Sequence, residues 1–267
     1  MNKTALAKQM GVSRSMLYYK YKRPIIDEEV KKQIESVLTD HPAYGHKRIA
    51  LELKLNKKRI LRVMKKFNIK PYKRRVKKPR KIEDEGKPET SYKNLIELIC
   101  PIAPHVVWVA DFTYIKFQDK FMYLATIMDL YSREILGWNI SRYHNKELVL
   151  GALLDAMNHT GRKPQYLHSD QGSEYDSQEY VLYAEREGIQ ISMSRKGHPW
   201  ENGYKESFYS GFKLDLGNVS RFQEIGELIE SIHQTMYYYN HRRIHTSLKM
   251  SPVQFRRLYE ERLRQTV

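Results

Sequence analysis

The sequence predicts an α/β protein in which a mixed β-sheet flanked by helices follows small all-α helix-turn-helix modules. Three observations predict this architecture. Apolar side chains recur at helical spacing through residues 1 to 70, β-branched and aromatic residues dominate residues 106 to 140, and short strand-like segments then alternate with helical ones. Alternation of this kind indicates a sheet with helices packed on its faces.

The first module, residues 1 to 26, has the spacing of a helix-turn-helix. Gly11 stands where two short helices would turn, and Ser13 is placed to cap the second helix. An ordinary helical hairpin without a role in DNA binding is compatible with the same pattern.

A second helix-turn-helix domain is predicted over residues 27 to 70. Its helices are expected from Glu28 to about Leu38, near Lys47 to Leu53, and after Asn56. The third helix has apolar side chains on one face and basic side chains on the rest, which suits contact with DNA phosphates. A solvated charged face is the alternative. The candidate DNA-binding residues of this helix are Lys57, Lys58, Arg59 and Arg62.

Residues 71 to 92 are predicted to be a basic linker. The stretch from Lys70 to Lys81 contains eight basic residues and no acidic one, and its two prolines disfavour a helix. Such a segment can lie along a nucleic-acid backbone. The candidate phosphate contacts in the linker are Lys73, Arg74, Arg75, Lys77 and Lys78.

A catalytic core is predicted over residues 93 to 220, followed by a C-terminal helical extension over residues 221 to 267. Three antiparallel strands come first, at residues 106 to 115, 121 to 128 and 134 to 140. This order of elements is that of a ribonuclease-H-like fold. The later elements are a helix at 146 to 159, a strand at 165 to 169, a helix at 178 to 187, a strand at 189 to 193, and helices at 201 to 214 and 223 to 239.

The charge balance indicates a polyanionic partner. Lys and Arg number 47 against 31 Asp and Glu, so the formal net charge is +16, which is typical of nucleic-acid-binding proteins. The single cysteine, Cys100, excludes an intrachain disulfide and a cysteine-rich zinc site. No apolar stretch is long enough for a membrane helix, so we expect a cytoplasmic protein without a membrane partner.

Three acidic residues form the candidate catalytic site. Asp111 lies among apolar and aromatic residues of the first strand, where a carboxylate is costly unless it is paired or binds a cation. Asp170 closes the fourth strand, and Glu206 lies on a helix that Phe208 and Phe212 anchor to the core. Because the first and fourth strands are neighbours in this fold and the helix packs against them, we expect the three carboxylates to converge.

Converging carboxylates favour Mg²⁺, a hard cation that prefers oxygen ligands. We expect Asp111, Asp170 and Glu206 to hold two such ions, with Mn²⁺ able to replace them. Two ions would activate an attacking oxygen and stabilise a leaving oxygen. The predicted chemistry is therefore an in-line displacement at a phosphodiester.

Several other residues are placed to assist this site. Lys213 falls on the helix face of Glu206, about 10 Å further along the axis, and is expected to hold a neighbouring phosphate. Asn202, one turn before Glu206, is placed to donate a hydrogen bond to a carboxylate or to DNA. Arg242 and Arg243 follow a run of tyrosines and are candidates for DNA contact or for packing.

The three acids resemble the D,D(35)E signature of integrase-core transposases, which retroviral integrases share, because 35 residues separate Asp170 from Glu206. Further segments resemble one group of this family, the bacterial insertion-sequence transposases made from two overlapping reading frames. The chain resembles the second-frame product of that group. The segments are Trp108 to Tyr114, Tyr123 to Arg133, His168 to Tyr175, Ser192 to Gly197, Glu206 to Lys213, and Tyr239 to Pro252.

This resemblance implies a Mg²⁺-dependent transposase with Asp111, Asp170 and Glu206 as metal ligands and Lys213 as the family's basic residue. It implies nicking at the element ends, attack of the freed 3′-hydroxyl on another phosphodiester, excision as a circle and later integration. The implied partners are double-stranded DNA, as terminal repeats and as target, and at least one further copy of the chain on paired ends. The first-frame protein is a further candidate partner, and location at the bacterial nucleoid is expected.

Two other functions are compatible with the sequence. A ribonuclease-H-type nuclease needs a further carboxylate, for which Glu147 and Asp155 on the first core helix are available. A DNA-binding regulator with an inactive core is the second, and the intact set of three acids disfavours it. The N-terminal helical modules favour DNA as the substrate.

Overall fold

The structure, a computed structural model, describes residues 2–18, 23–73, 92–195 and 203–266. Its chain divides into two compact units, Met1–Tyr72 and Lys73–Val267. Within the described residues, no helix combines the length and the apolarity needed to cross a membrane.

The first unit begins with helix α1, Lys3–Gln9. The α-helix predicted after Ser13 is instead a short 3-10 segment, Arg14–Tyr18, so this prediction was wrong. The Met16 N–H donates to the Ser13 carbonyl three residues earlier, and the Ser13 hydroxyl is hydrogen-bonded to the Ser15 hydroxyl. Because the Ser13 hydroxyl is bonded to a neighbouring side chain, it does not act as the predicted α-helix cap.

Three longer helical segments follow, close to their predicted positions: α2 is Arg23–Asp40, α3 is His46–Glu52 and α4 is Lys57–Lys66. Asn56 caps α4, because its side-chain oxygen accepts a hydrogen bond from the Lys58 N–H at 2.8 Å. Helix α4 buries the apolar face expected from its spacing. The buried residues of α4 are Ile60, Val63 and Met64.

The second unit contains a mixed sheet of five strands: β1 is Val107–Phe117, β2 is Lys120–Asp129, β3 is Ile135–Ser141, β4 is Tyr166–Ser169 and β5 is Gln190–Met193. Their order in the sheet is β3-β2-β1-β4-β5. β1 pairs antiparallel with β2 and parallel with β4. The prediction that the first and fourth strands are neighbours is therefore confirmed, and so is the ribonuclease-H-like order.

Helices cover both faces of this sheet: α5 is Lys146–Thr160, α6 is Gln178–Arg186, α7 is Gly203–Leu216, α8 is Ile225–His241 and α9 is Pro252–Thr266. Along β1, Trp108 packs with α5 and α6, whereas Ile115 packs with α7 and α8. The predicted anchors Phe208 and Phe212 are both buried in the second cluster. They hold α7 against the sheet and so determine where Glu206 lies.

Helix α5 lies very close to the sheet at Gly137 of β3. A Cβ atom at this position would overlap backbone atoms of Ala152 and Ala156. Glycine therefore permits the close packing in which Ala152 and Ala156 are fully buried.

Candidate active site

Asp111 and Asp170 occupy equivalent positions on neighbouring parallel strands. Val109 of β1 pairs with His168 of β4, and each aspartate lies two residues beyond this pair. Alternate residues of a strand point to the same side of a sheet. The parallel register therefore brings the two aspartates to the C-terminal end of β4, the edge where open sheets bind their ligands.

The negative charges of Asp170 and Glu206 act on Asp111. The pKa of Asp111 is raised to about 7, first because its carboxyl group is buried and further because of the negative charges of Asp170 and Glu206. Lys205 and the Phe112 N–H, which donates to Asp111 Oδ1 at 2.8 Å, oppose this rise in pKa. Asp170 and Glu206 are thus near enough to affect the protonation of Asp111.

Glu206 stands in the first turn of α7 and is exposed, while its neighbours Lys205 and Phe208 are buried. The buried face of the helix holds the backbone in place and leaves the Glu206 carboxylate on the solvent side. Among the described residues, no three His, Cys, Asp or Glu side chains are already gathered as a metal site.

The chemistry of these donors fits a hard divalent cation. Carboxylate oxygens are the ligands that Mg²⁺ and Mn²⁺ prefer. The Gly172 N–H donates to Asp170 Oδ1 at 3.1 Å, which orients that carboxylate. A cation between these acids would also relieve the like-charge repulsion that adds to the effect of burial on the pKa of Asp111.

A buried lysine, not anticipated from the sequence, lies beside the acids. Lys205 is 0% exposed, and its ammonium group donates to the Thr126 carbonyl oxygen at 2.7 Å and to the Thr126 hydroxyl. Thr126 pairs directly with Asp111 across β1 and β2. Burial lowers the pKa of Lys205 to about 7, against the attraction of the Asp111 charge, which raises it.

Tyr209 belongs to the same buried network. Its hydroxyl donates to the main-chain carbonyl of Asp111 at 2.6 Å and lies 2.9 Å from the Thr126 hydroxyl oxygen. Lys205 and Tyr209 therefore tie α7 to β1 and β2 at the level of the acids. The available sequence signal was that Lys205 precedes Phe208 by three positions and so lies in the apolar stripe of the helix.

Lys213 lies over the ring of Tyr114, with 4.7 Å between its Nζ atom and the ring centroid. The Lys213 side chain is partly buried. Lys73, in the predicted linker, is exposed. Five predicted DNA contacts lie outside the described residues: Arg74, Arg75, Lys77, Lys78 and Asn202.

In the tract after the tyrosines, Arg243 and Asn240 contact other elements of the second unit. Arg243 is 6% exposed, and its Nε atom lies 2.5 Å from Asp215 Oδ2 on α7. This placement does not support the predicted DNA contact of Arg243, because its guanidinium group is buried and its charge is paired. Asn240 exchanges two hydrogen bonds with the backbone of Ile135, at 2.9 and 2.8 Å. Arg242 is exposed and stays a candidate DNA contact.

In the first unit, Arg62 forms a bidentate ion pair with the buried Asp27, at 2.7 and 2.6 Å, and Lys66 Nζ lies 3.0 Å from the same carboxylate. Hydrogen bonding to Arg62 is the main reason why the pKa of Asp27 is held far below its usual range. Two donors of Arg62 thus hold α2 against α4, and its DNA contact stays a prediction. Lys57, Lys58 and Arg59 are exposed on α4.

The two spare carboxylates of the nuclease alternative lie on α5. Asp155 accepts a hydrogen bond from the Trp138 N–H at 2.9 Å, and Glu147 stands in the first turn of the helix. Neither is among the groups that shift the pKa of Asp111. The structure therefore gives no support for a fourth carboxylate from α5 beside Asp111.

Comparison with known proteins gives one consistent family. Residues 101–199 and 187–252 each match an integrase core domain family. The transposase for insertion sequence element IS904 of Lactococcus lactis is 38% identical over 161 residues, 59% of this chain and 64% of that relative, just under two thirds of its length. The insertion element IS600 uncharacterized 31 kDa protein of Shigella sonnei is 33% identical over 268 residues, which cover 94% of this chain and 97% of the relative.

Among solved structures, the simian T-cell lymphotropic virus intasome in complex with PP2A regulatory subunit B56 gamma is similar, with a TM-score of 0.53 and 16% sequence identity. The likeness covers 84% of this chain and 74% of that chain. At this identity the likeness concerns the fold, and it agrees with the order of strands and helices described above.

Proposed function

This chain belongs to the integrase-core transposases of bacterial insertion sequences, which are enzymes of the polynucleotidyl transferase type, and we propose that Asp111, Asp170 and Glu206 carry its catalysis. In the proposed reaction one strand is nicked at an element end. The freed 3′-hydroxyl then attacks another phosphodiester, which leads to a circular excision product and later to integration. The observation that carries the proposal is the parallel register of β1 and β4, which sets Asp111 beside Asp170.

The proposed site depends on divalent cations. Two Mg²⁺ ions, or Mn²⁺ in their place, would supply Lewis acids for the attacking and the leaving oxygen. The contribution of the chain is to hold carboxylates on two strands and one helix in a constant arrangement. Lys205 and Tyr209 maintain that arrangement through their hydrogen bonds to Thr126 and to the Asp111 backbone.

The proposed DNA contacts lie in both units. Double-stranded DNA, as terminal repeats and as target, is the substrate, and a second copy of the chain on the paired end and the first-frame protein are the proposed protein partners. Exposed cations supply an electrostatic attraction that is independent of DNA sequence. The proposed contacts are Lys57, Lys58, Arg59, Arg62, Lys73, Arg74, Arg75, Lys77, Lys78, Asn202, Lys213 and Arg242.

The catalytic assignment is tested by replacing each acid separately, as Asp111→Ala, Asp170→Ala and Glu206→Gln. We expect each variant to reduce Mg²⁺-dependent nicking of DNA that carries the element's own ends to background, because each change removes a metal ligand. Retention of the same DNA in a gel-shift assay is expected to be unchanged. Sizing the products on a denaturing gel measures the nicking.

Glu147→Gln is the matched control, since Glu147 is an exposed carboxylate of the same unit. It is expected to leave nicking unchanged. Full activity in any of the three acid variants would remove the proposed site. Loss of activity in Glu147→Gln would instead favour the ribonuclease-H-type arrangement with a fourth carboxylate.

A further inference from the structure

An exposed aromatic surface lies on β1 and α7, the elements that carry Asp111 and Glu206, together with β2. It consists of Tyr114 of β1, Phe121 of β2 and Lys213 of α7, and we call it the aromatic platform. The rings of Tyr114 and Phe121 meet edge to face with centroids 5.4 Å apart, and Lys213 Nζ lies 4.7 Å from the Tyr114 centroid. Tyr114 is 52% exposed and Phe121 is 50% exposed.

The platform is connected to the acids through two elements. Tyr114 lies three residues beyond Asp111, about 10 Å along β1, and this odd spacing directs its side chain to the other side of the strand from Asp111. Lys213 of α7 nevertheless reaches the Tyr114 ring. Lys213 lies seven residues beyond Glu206, which is about 10 Å along a helix. Strand β1 and helix α7 each carry one catalytic acid, and they meet again at the contact between Tyr114 and Lys213. The platform is therefore held at a constant distance from the site of reaction.

Packing accounts for the ring contact but not for the exposure of the rings. Diagonal aromatic pairs of this kind stabilise antiparallel strands. The residues that β1 buries in the core are nevertheless Ile115 and Phe117, which lie on the other side of the strand from Tyr114. Half of each platform ring is left to solvent, beside a cation. Adjoining exposed apolar side chains mark binding sites more often than scattered single ones do.

The positive charge around the platform indicates which class of ligand it binds. Three lysines lie at the platform: Lys116 and Lys120 of the same hairpin, which are exposed, and Lys213, which contacts Tyr114. The hairpin carries one acidic residue, Asp119, in its turn. Aromatic faces flanked by cations are the arrangement that binds unstacked nucleotides, since bases stack on the rings while the cations attract the phosphates. An apolar surface for another protein would not need this excess of positive charge.

We propose that the aromatic platform stacks a base of the DNA strand engaged by the acids, within about three nucleotides of the reacting phosphodiester at 3.4 Å per nucleotide of one strand. The base leaves the duplex to reach the rings, and Lys213 contacts the adjoining phosphate. This inference rests on the proposed function, because it takes Asp111, Asp170 and Glu206 as the reacting centre. It assigns to Tyr114 and Phe121 a role in positioning the end of the element.

Photo-crosslinking tests the contact directly. Element-end DNA carrying 5-iododeoxyuridine at one position at a time is bound to the whole chain without Mg²⁺, so that the strand stays intact, and is then irradiated. We expect crosslinks to Tyr114 or Phe121, identified by mass spectrometry of the peptides, from positions within three nucleotides of the cut. Crosslinks confined to other aromatic residues, such as the exposed Tyr237, would overturn the proposal.

Variants supply a second readout. Tyr114→Leu and Phe121→Leu remove a stacking face and are expected to lower nicking of duplex ends about tenfold, whereas Tyr114→Phe keeps the ring and retains activity. A mismatch that frays the end should restore part of the lost rate, because a mismatched base leaves the stack more easily. Tyr237→Leu is the matched control, since Tyr237 is a tyrosine of the same unit with a similar exposure of 56%.

The outcomes separate this inference from the proposed function. Wild-type nicking with no crosslink at the platform and no effect of Tyr114→Leu in a folded variant would overturn the platform and leave the catalytic acids in place. Undiminished nicking by Asp111→Ala would overturn the catalytic assignment, while the crosslinks would still decide what the platform binds. A change confined to oligomeric state in sedimentation would identify a protein contact and reject the base.

Discussion

Among single side chains, Lys205 has the environment that most needs explanation. A fully buried ammonium group is costly unless its donors are satisfied, and here they are directed at the carbonyl and hydroxyl oxygens of Thr126. Thr126 lies opposite Asp111, so the lysine is both a tether for α7 and a positive charge near a buried carboxylate. One side chain thus supports the packing and the electrostatics of the candidate site.

Replacing Lys205 and an exposed lysine separately distinguishes the role of the buried side chain from that of a surface charge. Lys205→Met is expected to lower the free energy of unfolding by about 1 to 3 kcal/mol, because buried Thr126 oxygens lose their donor, and to reduce nicking more than DNA retention. Urea unfolding followed by tryptophan fluorescence measures the first effect. Lys146→Met, at an exposed lysine paired with Glu179, should stay within about 0.5 kcal/mol of the wild type. Equal stability of the two variants would contradict the tethering role.

At the level of secondary-structure elements, one ion pair holds the helices of the first unit together. Asp27 of α2 is buried and accepts both hydrogen bonds of Arg62 from α4, with Lys66 beside it. The pKa of Asp27 is therefore far below its usual range. A carboxyl group with a lowered pKa in the folded state stabilises the fold above its unfolded pKa, and that contribution is lost as the pH falls towards the folded pKa.

The packing of α2 on α4 should therefore depend on pH. Asp27→Asn is expected to reduce hydrogen-exchange protection of α2 and α4 at pH 7, and the difference from the wild type should shrink as the pH falls below about 4, because the unfolded carboxyl group then takes up a proton while the folded pair keeps its charge to lower pH. Hydrogen exchange with mass spectrometry on the full chain measures this. Glu28→Gln, at the adjacent exposed acid, is the control. A difference that is constant with pH would contradict the role of the pair.

At the level of the full chain, positively charged residues occur in both units. The formal net charge is +16. Exposed cations occur on α4, at Lys73 and on the hairpin of β1 and β2. Each cation that neutralises a DNA phosphate releases a counterion, so the number of contacts is measurable from the dependence of affinity on salt.

The linker contribution is testable in this way. Neutralising Lys73, Arg74, Arg75, Lys77 and Lys78 to Gln should flatten the slope of log affinity against log salt concentration by up to about 4.5, at about 0.9 for each phosphate contact. Gel-shift titrations at several salt concentrations measure the slope. An unchanged slope would show that the linker touches no phosphates.

The elements and the candidate acids could be predicted from the sequence because the signals are local. Apolar residues at helical spacing mark α4, alternating β-branched and aromatic residues mark β1 to β3, and a carboxylate inside an apolar strand marks Asp111. These patterns follow from backbone geometry over a few residues. Only the α-helix expected after Ser13 failed among the predicted elements within the described residues, because competing side-chain hydrogen bonds decide the ends of very short helices.

The sequence could not show which charged side chains are buried or which residues they pair with. Arg62 and Arg243 look like surface cations in the sequence, and the fold pairs them with Asp27 and Asp215. The apolar stripe of α7 indicates that Lys205 is buried, but its partner Thr126 is decided only when α7 lies on β2. The partners of these groups are remote in the chain, so their burial and pKa values depend on the packed arrangement of elements, which no local spacing contains.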